Sequence, residues 1–114
     1  MTDGETLARA CAAAAADKKA ENPVVLDLRN ISTFTDFFVI CSGGSEPQLK
    51  AISTAIREQV GETLHRKPNS EDGNPASQWI ILDYGEVIVH LFHTGKREFY
   101  GLENLWSDAK PLAL

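Results

Sequence analysis

The sequence predicts one small α+β domain, with a mixed, mostly antiparallel sheet of about four to five strands and helices packed on it. Three observations carry that reading. Two consecutive apolar runs, 79–84 and 86–92, are rich in Ile, Val and aromatic residues and meet at Gly85, the pattern of a hairpin. Two stretches with helical spacing of apolar residues, 4–21 and 45–60, alternate with strand-like runs. A chain of 114 residues is long enough for one core without metals or disulfides.

The first helix is expected over 4–21. Thr2 and Glu5 have capping-box spacing, Ala dominates, and Leu7, Cys11, Ala14 and Lys18 mark one face. So thin an apolar stripe predicts a helix leaning on the sheet edge, ended by Asn22-Pro23. Val24–Arg29 alternates as a strand, Asn30 to Ser32 reads as a turn, and Thr33 to Ser42 reads as a second strand. Their short connection leaves no room for a helix, so they should pair antiparallel. Gly43-Gly44 breaks the strand; Ser45 caps a helix with Pro47 in its first turn, striped by Leu49, Ile52, Ile56 and Val60 and stopped by Gly61. A weak strand at 62–66 and an exposed loop at 67–77 follow.

If Tyr84-Gly85 is the hairpin loop, Asp83 pairs with Glu86, Leu82 with Val87, Ile81 with Ile88, Ile80 with Val89, and Trp79 with His90. Alternation then puts Trp79, Ile81, Ile88, His90 and Phe92 on one face and Ile80, Leu82, Val87, Val89 and Leu91 on the other. Both faces are apolar, so both should be covered. A last helix runs from Arg97 or Glu98 to Ser107, with Phe99, Leu102, Leu105 and Trp106 on one face, and 108–114 reads as a frayed tail. The whole of 1–114 is one domain.

The net charge of −5 disfavours a surface built to grip phosphates and suits a basic protein partner. Cys11 and Cys41 have no ligand spacing and read as reduced core thiols. No apolar run could span a membrane and the start lacks a basic leader, so a mature cytoplasmic chain is expected.

Ser42-Gly43-Gly44-Ser45, between strand and helix, resembles an anion cradle, and nucleotidyltransferases share the layout. Those enzymes also need paired carboxylates on a strand to hold Mg²⁺. Asp27 is followed two residues on by Arg29, and Asp83 by Gly85, so a helix cap is the stronger reading. His90 and His93 would point to opposite faces of a strand, which argues against a shared metal. No catalytic residue, cofactor or metal site is expected. The aromatics Trp79, Tyr84, Phe99, Tyr100 and Trp106, rimmed by Asp83, Glu86, Glu98 and Glu103, have the composition of a protein-docking surface.

Three segments, DLRNISTFTDFFVICSGGS (27–45), WIILDYGEVIVHLF (79–92) and REFYGLENLWSDA (97–109), together resemble the ribosomal silencing factor, or Iojap-like, family. The resemblance implies a fold related to nucleotidyltransferases but without their carboxylates. It implies a homodimeric translational repressor that binds the large ribosomal subunit through ribosomal protein number fourteen and sterically prevents subunit joining, with little direct nucleic-acid binding. Position by position it carries over Trp79, Asp83, His90, Tyr100, Leu102, Glu103 and Trp106 as protein-binding residues. A large-subunit assembly factor, or an enzyme using the Gly43-Gly44-Ser45 turn for nucleotide, are the alternatives.

Overall fold

In the computed structural model, which describes residues 3–114, helix α1 spans Gly4–Asp17. Asp3 is its cap, accepting from the Thr6 amide at 2.7 Å; the expected cap, Thr2, lies outside the described residues. The helix stops earlier than expected because Lys18, Lys19 and Ala20 donate back to Ala15 and Ala16 carbonyls, with Lys19 in the left-handed region. Strand β1, Glu21–Asp27, therefore begins before Asn22-Pro23 rather than after it. That dipeptide forms an irregularity in the strand, with Asn22 at φ 46°, instead of a helix terminator.

Strand β2, Phe37–Gly43, is buried along its whole length and pairs antiparallel with β1, as the short connection requires. Helix α2, Glu46–Leu64, has the expected cap, with Ser45 Oγ accepting from Gln48 N at 3.2 Å, and buries the expected stripe. Gly61 does not stop it. A helix-interior glycine costs only about 1 kcal/mol, Leu64 still packs on the core, and His65 in the left-handed region makes the stop. The expected strand at 62–66 is thus helix up to Leu64 and coil beyond it. A strand lies instead inside the expected loop: β3, Ser70–Asn74, exposed and polar throughout, with no apolar period to mark it.

Strands β4, Trp79–Asp83, and β5, Val87–His93, form the hairpin in a register slipped by two residues. Asp83 pairs with Ile88, Leu82 with Val89, Ile81 with His90, Ile80 with Leu91, and Trp79 with Phe92. Tyr84 N donates to Val87 O at 2.8 Å, so Gly85-Glu86 is the turn, and Gly85 takes the positive φ, 93°, that a side chain would resist. An even slip preserves parity, so the predicted faces stand although every predicted pair changes. The chain then makes helix α3, Thr94–Tyr100, breaks at Gly101 (φ 60°), and makes helix α4, Leu102–Leu105. One helix was expected there. The segment read as a frayed tail carries strand β6, Lys110–Pro111, paired with β1.

The sheet has six strands in the order β3-β4-β5-β2-β1-β6, with β2 and β5 parallel across the α2 crossover. Helix α1 does not lean on the sheet edge; it lies over β1, β2 and β5 beside α2, where its alanines allow close approach. Leu7, Cys11, Leu49, Ile52 and Ile56 close over Leu82, Val87, Val89 and Leu91. The opposite side holds a second cluster, Leu26, Leu28, Phe38, Ile40 and Phe92, with Leu102, Trp106 and Ala109 laid on it.

Candidate docking face

Strand parity gathers Trp79, Ile81 and Asp83 of β4 with Ile88, His90 and Phe92 of β5 and Phe38 and Ile40 of β2 on the side away from α1 and α2. Helices α3 and α4 are too short to cover it, and neither contains a buried residue. The result is a continuous row of rings. Phe34 lies 6.0 Å from Trp106, Trp106 5.7 Å from Phe38, and Phe38 4.7 Å edge-on from His90. Trp79 lies 4.9 Å from Phe92 and 4.6 Å from Tyr100, and Phe99 5.4 Å from Tyr100. Trp79, Phe92 and His90 form the floor; Phe34, Tyr100 and the protruding Phe99 and Leu105, the last two about three-quarters exposed, form the rim.

His90 ties the floor together. Its Nδ1 accepts from Trp79 Nε1 at 3.2 Å, which fixes the neutral ring with its proton on Nε2. Burial pushes its pKa down to about 4. His90 Nε2 is buried without a partner. The ring stands T-shaped to Phe38 and lies parallel to Phe92 at 6.1 Å.

The sequence-predicted residues divide by place. Trp79, His90 and Tyr100 meet in one cluster, and Leu102 and Trp106 cover the neighbouring one. Asp83 is on the same face but at the far end of β4, four positions from Trp79, or roughly 13 Å along the strand. Its carboxylate accepts from Gly85 N at 2.8 Å and shapes the turn. Glu103 bonds Arg97 at 2.8 Å, and Glu86 bonds Arg66 at 2.7 Å, which holds the Glu86 carboxyl below its usual range. The carboxylates are therefore not a uniform rim. Tyr84, grouped with the surface aromatics by sequence, is buried under the helices. Phe99, expected in the core stripe, is exposed, because the break at Gly101 turns the expected stripe into two unrelated faces.

Sequence reasoning missed Phe34 and Ile31, exposed in the β1–β2 connection. The available signal was a large aromatic ring in a turn-like, Ser/Thr-rich stretch, where packing gives it no reason to be.

The glycine turn after β2 is already filled. Gly44 N donates to Gln48 Oε1 at 2.8 Å, and Gln48 Nε2 donates to Lys19 O at 3.0 Å. Glu21 Oε2 lies beside Gly44, a poor neighbour for a phosphate. Cys11 and Cys41 are buried, and desolvation pushes both thiols up to about 12, far from a nucleophile's range. His93 accepts from Gly95 N at the start of α3. No described group of His, Cys, Asp and Glu could hold a metal, and no described helix is long and apolar enough to cross a membrane.

A family profile described as "Ribosomal silencing factor during starvation" matches residues 2–114. The chain is 40% identical over 109 residues to the ribosomal silencing factor RsfS of Bacillus subtilis, covering 96% of this chain and 91% of that protein. It is 40% identical over 103 residues to the chloroplastic protein Iojap of Zea mays, covering 90% of this chain and 44% of the maize protein. A crystal structure of a Bacillus halodurans protein superposes with a TM-score of 0.81 at 35% identity, covering 96% of this chain and 99% of that one. A Chromobacterium violaceum crystal structure superposes with a TM-score of 0.87 at 22% identity, covering 97% and 92%, and shares the fold.

Proposed function

The chain belongs to the ribosomal silencing factor family, and from that premise we propose that it binds the large ribosomal subunit through ribosomal protein number fourteen and blocks subunit joining by occupying the joining face. The observation that carries this reading is the row of rings from Phe34 to Phe99, a contiguous, half-covered aromatic surface. Such surfaces are costly to leave in water unless a partner covers them. Rigid aromatic anchors supply most of the energy of a protein interface, and the net charge of −5 favours a basic partner and speeds encounter with it.

The mechanism is exclusion. No bond is made or broken; the protein needs only to hold its place while the small subunit approaches. The filled turn at Gly44 weighs against the nucleotide-enzyme alternative. A cytoplasmic site of action and a homodimer belong to the same proposal. Sedimentation of ribosomal subunits with excess protein tests the main claim: separated subunits and protein travelling with the large one are expected, and full subunit joining overturns it. Sedimentation equilibrium of the free protein tests the dimer.

A further inference from the structure

We propose that Arg97 is a positioning residue for the docking face: it clamps the two short helices to the ends of β1 and β2, and so sets where Tyr100, Phe99 and Leu105 stand. The inference rests on the reading of that face as the subunit-binding surface.

Helices α3 and α4 bury no residue of their own, so packing alone holds them weakly. They are also separated at Gly101, whose left-handed backbone removes the continuity a single helix would have given. Arg97 spans the break. Its Nε donates to Glu103 Oε1 of α4 at 2.8 Å. Its Nη1 donates to Glu21 O of β1 at 3.0 Å and to Ser42 Oγ of β2 at 3.3 Å. The side chain is only 12% exposed, and the planar fork is what allows three directions from one group. Thr94 Oγ1 adds a second tie to Glu21, at 2.7 Å. The network lies at the ends of the strands, beside the aromatic row and outside it. Glu103 then acts within the protein, as the far end of the clamp.

The test combines amide hydrogen exchange of the free protein with equilibrium binding to purified large ribosomal subunits. Arg97→Ala should speed exchange across 94–106, leave exchange in β2 and β5 unchanged, and weaken binding about tenfold or more. Arg97→Lys should restore only part of both, since one ammonium cannot replace the fork. Glu103→Gln, which keeps an acceptor, should shift both readouts slightly and serves if Arg97→Ala fails to fold. Phe99→Ala should weaken binding with exchange unchanged, separating a contact from a clamp. Unchanged exchange over 94–106 in Arg97→Ala overturns the clamp, as does faster exchange with full binding. If the parent protein does not bind large subunits, the reading of the face fails, and the exchange measurements alone then decide the clamp.

Discussion

The two sides of this sheet share every strand and are finished in opposite ways. On one, α1 and α2 bring unbroken apolar stripes down onto Leu82, Val89 and Leu91, and the large side chains of both stripes are buried, while Leu114 beside α1 stays exposed. On the other, two short helices lay Leu102 and Trp106 over part of an aromatic surface and leave Phe34, Tyr100, Phe99 and Leu105 reaching outward. The difference teaches where stability and function separate. The stripes of α1 and α2 are already buried, so substitutions in them should act on folding. On the aromatic side, the proposed partner would complete the burial, so the outermost substitutions should act on binding.

The largest expected effect is on the sealed side. Leu91→Ala, fully buried on β5, should cost about 2–5 kcal/mol in chemical denaturation. A cost below about 1 kcal/mol would break the contrast. Next comes the floor of the aromatic side. His90 has a folded pKa near 4 against an ordinary 6.5, so the unfolded chain binds more protons between those values. Its stabilising contribution is complete above pH 6.5 and is lost as pH falls toward 4, on the order of 3 kcal/mol by the size of the shift. His90→Phe should flatten that part of the stability curve; an unchanged acid limb would show the ring is not held neutral.

Trp79→Ala should weaken large-subunit binding by about 2 kcal/mol or more. It should also lower stability, because the indole touches His90, Phe92 and Tyr100, while the helical side keeps the domain folded. Loss of folding would make Trp79 a core residue rather than a floor shared with a partner. The smallest effect on folding belongs to Phe99→Ala, within about 0.5 kcal/mol in denaturation, since that ring meets mainly water, Tyr100 and Lys96.

Much of this contrast was legible in the sequence. The α2 stripe and the two faces of the hairpin follow from apolar period, which burial enforces, and the β1–β2 antiparallel pair follows from its short connection. What period could not reveal failed for identifiable reasons. The exact hairpin pairs turn on whether Tyr84 or Glu86 sits in the turn, a choice made by burial of the phenol and the positive φ of Gly85. Strand β3 is polar because it is an edge, and its only signal is its neighbour. The break at Gly101 escaped notice because the apolar spacing continues through it, although the backbone does not. On the aromatic face, motif resemblance had singled out Trp79, His90, Tyr100 and Trp106, while Phe34 sat in a stretch assigned to a turn and strand start, where an exposed ring leaves no periodic trace.

Affinity for purified large ribosomal subunits of the triple variant Phe34→Ala/Phe99→Ala/Leu105→Ala, set beside its melting temperature, addresses the proposed docking side most directly. The expected result is binding weakened about tenfold or more with melting nearly unchanged. Parent-like binding by a folded triple variant would contradict the account.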